Sequence, residues 1–143
     1  MLNMHLHDLM HEGNIRLHQM EAVCYWITAY AKPEDVIVMV GDFNAEPDSE
    51  TYRFIEDQGF VSTYKLANGA EPKITFPTGL QAQFMDTDPP ATLDFIWLKG
   101  DKVKVAKSER MGGRPDEADN TIYGSDHFPL VTDFIIQGIL PTA

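Results

Sequence analysis

The sequence contains a single cysteine, Cys24, so no disulfide can form within the chain. That residue falls among apolar positions of a helical pattern, where it reads as a small buried hydrophobe. No stretch approaches the run of about eighteen apolar residues that a membrane-spanning helix needs. The opening residues Met1 to Asp8 lack the basic start and continuous apolar segment of a signal peptide. A soluble, cytoplasmic protein is therefore expected. Positive charge is scarce as well: 11 Lys and Arg face 22 Asp and Glu, a formal net charge of -11. Such a chain repels long polyanions and draws divalent cations to places where carboxylates converge. Lys99, Lys102, Lys104, Lys107, Arg110 and Arg114 fall close together and read either as the solvated face of a hairpin and loop or as a phosphate-steering patch. Internal repeats and low-complexity tracts are absent.

What is present fits one ordinary domain: 143 residues, 43% of them hydrophobic, are enough for a real core and too few for two. After a short mixed segment at residues 2–6, Ile15, Met20, Val23, Cys24, Ile27 and Tyr30 recur at helical spacing, and Pro33 should stop the helix near Lys32. Val36 to Val40 is an unbroken, largely β-branched run that reads as a strand buried on both faces. Strand, helix and strand in that order imply a right-handed crossover with parallel strands, which makes His5 and Asp42 neighbours in space. Ser49 or Asp48 can cap a short helix carrying Tyr52, Phe54 and Ile55 and ending at Gly59. Residues 60–91, punctuated by Gly and Pro, read mostly as loop with a brief possible strand at Ile74 to Phe76. Thr92 to Leu98 and Val103 to Ala106 flank Gly100-Asp101-Lys102 and predict a hairpin, Met111 to Gly124 a long loop, and Leu130 to Ile136 a last strand.

Three short blocks carry chemistry. Asp42 and Asn44 directly follow a buried strand, a place where α/β proteins put functional side chains, although Gly-Asp-x-Asn alone could simply be a turn. Asp94 interrupts the apolar run Leu93, Phe95, Ile96, Trp97 and Leu98, so its carboxylate needs a partner or an edge open to water. His127, between Asp126 and Phe128-Pro129, is the candidate partner. An Asp bonded to one imidazole nitrogen sets the tautomer and aims the other nitrogen at substrate.

Gly41-Asp42-Phe43-Asn44, Leu93-Asp94-Phe95-Ile96 and Ser125-Asp126-His127-Phe128-Pro129-Leu130, in this order, resemble the endonuclease/exonuclease/phosphatase superfamily. Asn3-Met4-His5-Leu6, with Arg16 and Gln19 after it, resembles that family's histidine-bearing strand and following helix. The resemblance implies half of a four-layer α/β sandwich, a mixed β-sheet with helices on one face. It also implies a phosphoesterase dependent on Mg²⁺ or Mn²⁺. By this likeness Asp42 orients or deprotonates the attacking water and Asn44 helps to hold it. His127 contacts the scissile phosphate with Asp94 locking its orientation, and His5 touches the phosphate or assists the leaving group. Asp42, Asn44 and Asp126 lie at the metal, and oxygen donors of this kind suit a hard cation.

The family's principal metal-binding Glu and an Asn precede the histidine strand and have no counterpart here. Residues 1–143 are thus expected to be a single domain, the C-terminal part of a family domain without its N-terminal half. A missing segment or self-association would then cover the open sheet face. The competing expectation is a catalytically silent interaction or assembly module. The acidic balance favours a small phosphoester or a lipid head group over duplex DNA as substrate.

Overall fold

Chain reversal through one long helix builds the centre of the molecule. In the computed structural model, which describes residues 1–9, 11–80, 89–112, 118, 119 and 121–136, strand β1 (Leu2–His5) leads through helix α1 (Gly13–Tyr30) to strand β2 (Ile37–Asp42). The two strands are parallel, with His5 opposite Asp42, as the crossover requires. Helix α1 ends at Ala31, whose backbone is already extended two residues before Pro33. Ser49 caps helix α2 (Glu50–Asp57), its hydroxyl accepting from the Tyr52 N–H at 3.2 Å.

The first sheet has four strands in the order β1-β2-β4-β3, where β3 is Val61–Ser62 and β4 is Asp94–Lys99. Alternate residues of β2 and β4, namely Met39, Phe95 and Trp97, are buried in one cluster with Met20, Val23 and Cys24 of α1 and with Tyr52 and Ile55 of α2. Tyr52 meets Phe95 and Trp97 edge-on, with ring centroids 5.5 and 4.9 Å apart. Each such fully buried side chain contributes about 1.5–3 kcal/mol. The opposite face differs from the expectation of burial on both sides. Val38, Val40 and Ile96 are only half-buried, and Val40 and Ile96 line a cavity of ≈ 700 Å³ that Phe128 and Leu130 also border.

The expected hairpin between residues 92–98 and 103–106 does not form. Both edges of β4 are taken, one by β2 and the other by β3, so β5 (Val103–Arg110) pairs instead with β6 (Leu130–Ile136) in a separate antiparallel sheet. The intervening turn is drawn toward the segment before β2: the Lys102 ammonium donates to the Glu34 carbonyl at 2.7 Å. Residues 60–91 are also less irregular than expected, since they hold β3 and helix α3 (Thr63–Asn68). Thr63 at the start of α3 shares a hydroxyl hydrogen bond of 2.8 Å with Thr132 of β6, tying the two sheets together. Ile74 to Phe76 supplies only an isolated bridge, Phe76 to Ala91. No helix among the described residues is long and apolar enough to cross a membrane.

Candidate active site

His5, Asp42 and Asp94 occupy one row across three neighbouring strands, His5 facing Asp42 and Asp42 facing Asp94. Residues directly opposite one another in a sheet project to the same side, so the row gathers these groups at one edge. Gly41 makes the close approach of β1 and β2 possible. Its φ of 128° lies where L side chains are rarely found, and a Cβ there would overlap the Met4 carbonyl.

Beyond the strand ends the backbone is fastened crosswise. Leu6 N–H donates to the Asp42 carbonyl at 3.0 Å and Phe43 N–H to the Leu93 carbonyl at 2.9 Å. Asn44, buried and left-handed at φ 47°, donates its side-chain amide to the Leu6 carbonyl at 3.0 Å. Its backbone N–H reaches Asp42 Oδ1 at 2.8 Å.

His127 Nδ1–H donates to Asp94 Oδ2 at 2.8 Å, and the imidazole packs on Phe76 with centroids 4.8 Å apart. Its Nε2 lies 3.8 Å from Asp42 Oδ2, and His5 Nε2 lies 3.6 Å from the same oxygen. The hydrogen bond it donates to Asp94 raises the His127 pKa above its ordinary value, outweighing the opposing effect of burial. Asp42 is also shifted upward, first by burial and then by the neighbouring Asp94, although the Asn44 hydrogen bond and both imidazoles pull it down. A carboxylate held in this way is a better proton acceptor than one in water.

All six residues singled out from the sequence, His5, Asp42, Asn44, Asp94, Asp126 and His127, line one cavity of ≈ 560 Å³. Asp42, Asp94 and His127 offer ligand atoms that all lie within 4.8 Å of one another, while Asp126 borders the cavity outside that trio. Among the described residues Asp42 Oδ2 accepts no hydrogen bond, so an oxygen with open lone pairs faces the cavity, as a hard cation or a water needs. Asp42, Asp94 and His127 thus form a group that could hold a metal ion.

No Lys or Arg among the described residues lines the cavity. Four members of the basic stretch are engaged elsewhere. Lys99 and Lys102 donate to backbone carbonyls of Gln58 and Glu34, Lys107 pairs with Glu109, and Arg110 stacks on Phe128. Arg114 lies outside the described residues. Sequence reasoning missed Asp8, Leu9, His11 and Phe76, which also line the cavity; they sit in irregular segments without a periodic pattern to betray them.

The fold is thus α/β, with carboxylates and imidazoles at its strand ends gathered on one cavity. A model of the endonuclease/exonuclease/phosphatase family matches residues 11–127, and the chain belongs to that family. Solved structures of the same fold include the human Nocturnin catalytic domain with bound sulfate. It is 25% identical with a TM-score of 0.71, over 94% of this chain and 46% of that one. D. rerio TDP2 complexed with single-strand DNA product is 17% identical with a TM-score of 0.70, over 93% and 54%. Bacteroides thetaiotaomicron mannosyl-6-phosphatase is 17% identical with a TM-score of 0.70, over 94% and 50%. The chain spans about half the length of these relatives. An uncharacterized calcium-binding protein of Arabidopsis thaliana is 33% identical over 58 residues, 38% of this chain and 12% of that protein.

Proposed function

We propose that this chain carries the water-activating half of a metal-dependent phosphoesterase site. The observation that supports the reading is the meeting of Asp42, Asp94 and His127 on one cavity, with Asn44 and His5 beside them. Asp42 orients the attacking water and accepts its proton as the water oxygen bonds to phosphorus and the bond to the leaving oxygen breaks. Asn44 restrains the Asp42 carboxylate through its backbone N–H. His127, its Nδ1 held by Asp94, turns Nε2 to the phosphoryl oxygens, and His5 contacts the phosphate or protonates the leaving oxygen. Asp42, Asn44 and Asp126 would hold Mg²⁺ or Mn²⁺, which when bound neutralises charge on the phosphoryl oxygens.

A small phosphoester or a lipid head group is the favoured substrate over duplex DNA. The net charge of -11 and the lack of Lys and Arg among the described lining residues leave little to neutralise a chain of phosphates. Relatives of this fold include both a DNA-bound protein and a sugar phosphatase, so the fold alone does not choose.

The test is hydrolysis of bis-p-nitrophenyl phosphate and p-nitrophenyl phosphate by the purified chain with Mg²⁺ or Mn²⁺. Asp42→Ala and His127→Ala are the controls. Turnover that survives either substitution, or that chelator leaves intact, would sink the reading. Complete inactivity under all these conditions favours the interaction module instead.

A further inference from the structure

Strand β3 pairs with β4 only at Trp97 and Leu98, so among the described residues the start of β4 has no strand on that edge. The backbone N–H groups of Leu93 and Asp94 nevertheless need acceptors, because a buried donor without one is costly. One side chain supplies both: Thr75 Oγ1 accepts from Leu93 N–H at 2.8 Å and from Asp94 N–H at 3.1 Å. These two bonds use both lone pairs of the hydroxyl oxygen. The carbonyl of the same residue accepts from Phe128 N–H at 2.7 Å, immediately after His127, and its own N–H donates to the Ala91 carbonyl at 2.9 Å. Thr75 is 0% exposed, so water cannot take over any of these contacts.

We propose that Thr75 is a positioning residue for the Asp94–His127 pair: its hydroxyl fixes the backbone that carries Asp94 and its carbonyl fixes the backbone that carries His127. Both members of the pair are thereby referred to one buried residue. Thr75 makes no hydrogen bond to either side chain, and it acts by holding the peptide groups on which they are mounted. A rotation of either backbone would open the 2.8 Å contact between Asp94 and His127. The proposal rests on the reading of this cavity as a phosphoesterase site only for its kinetic consequence, not for the geometry.

The experiment compares Thr75→Val, which keeps the shape and removes the acceptor, with Thr75→Ser, which keeps the acceptor. The first readout is the downfield imidazole N–H resonance of His127 in the full chain, followed by proton NMR. It should vanish or move upfield in Thr75→Val and return in Thr75→Ser. The second is turnover of bis-p-nitrophenyl phosphate with Mn²⁺: kcat should fall about 10- to 100-fold in Thr75→Val, with KM nearly unchanged and Thr75→Ser close to wild type. A folded Thr75→Val with an unaltered His127 resonance overturns the proposal, as does one with lower thermal stability but wild-type kcat. If Thr75→Val does not fold, Thr75→Ala, which also removes the acceptor, is read in the same way, an unaltered resonance again overturning the proposal. A resonance change in a chain whose wild type hydrolyses no phosphoester upholds Thr75 as the positioning residue and overturns the functional reading alone.

Discussion

His127 and Asp94 are joined by a 2.8 Å hydrogen bond across 33 residues of sequence, one residue at the start of β4 and the other just before β6. The bond crosses from the first sheet to the segment feeding the second. Replacing Asp94 by Asn keeps the shape but removes the acceptor charge that selects the Nδ1–H tautomer. Asp94→Asn should lower kcat on a phosphodiester by about 10²- to 10⁴-fold while far-UV circular dichroism stays unchanged. Full activity in this variant would remove the pair from the mechanism.

Chelation should reversibly abolish turnover, with activity returning on addition of Mg²⁺ or Mn²⁺. Asp42→Ala removes the carboxylate whose Oδ2 lies 3.6 Å from His5 Nε2 and 3.8 Å from His127 Nε2. Isothermal titration of Mn²⁺ should show weaker binding in Asp42→Ala, and equal affinity in the two proteins would place the cation elsewhere.

Much of this site was legible in the residues because strong local rules governed it. A strand-helix-strand order dictates parallel pairing, and that alone predicted His5 beside Asp42. A carboxylate inside Leu93-Asp94-Phe95 demanded a partner, which pointed to His127. The pairing of β4 was not legible. Gly100-Asp101-Lys102 has the composition of a hairpin turn, and nothing local reveals that β2 and β3 already occupy both edges of the strand before it. Thr75 was hidden for a related reason. Its burial comes from contacts to residues 91, 93, 94 and 128, all distant in sequence, and an isolated Thr between Ile74 and Phe76 carries no periodic signal.

Glu71 gives a pH dependence that is separate from the cavity. Burial pushes its carboxyl above the ordinary glutamate range, although Tyr52 donates to it at 2.6 Å and Ser62 at 3.0 Å. Because the folded pKa is raised, the stability linked to its protonation is fully present below the unfolded value of about 4.3 and is lost as pH rises through the folded value. Urea denaturation should therefore show wild type losing stability relative to Glu71→Gln as pH climbs through that window, with a constant difference above it. A difference that moves the other way would contradict the assignment.

Trp97 is 0% exposed, and among the described residues its indole N–H has no hydrogen-bond partner. Trp97→Phe relieves that orphan while keeping an aromatic ring against Tyr52, so it should cost less than Trp97→Ala. Trp97→Ala leaves a cavity and should cost about 3–5 kcal/mol. Chemical denaturation of the two variants measures both, and equal losses would show that ring packing is not what Trp97 contributes.

Gly41→Ala should separate β1 from β2, because the added methyl meets the Met4 carbonyl and the backbone sits at φ 128°. The strain is of order 1–3 kcal/mol before any rearrangement. Activity should fall together with the melting temperature, and a variant with wild-type values of both would mean that the strands tolerate the intrusion.

The row formed by His5, Asp42 and Asp94 makes the sheet a ruler. Adjacent strands stand about 4.8 Å apart whatever side chains they carry, so the spacing of the reactive groups is a property of the peptide backbone. Surrounding loops can lengthen, shorten or change charge without altering that interval. A protein built in this way can exchange its rim for another and meet a new substrate with the same reactive geometry, which makes the cavity edge the natural place to graft a different specificity.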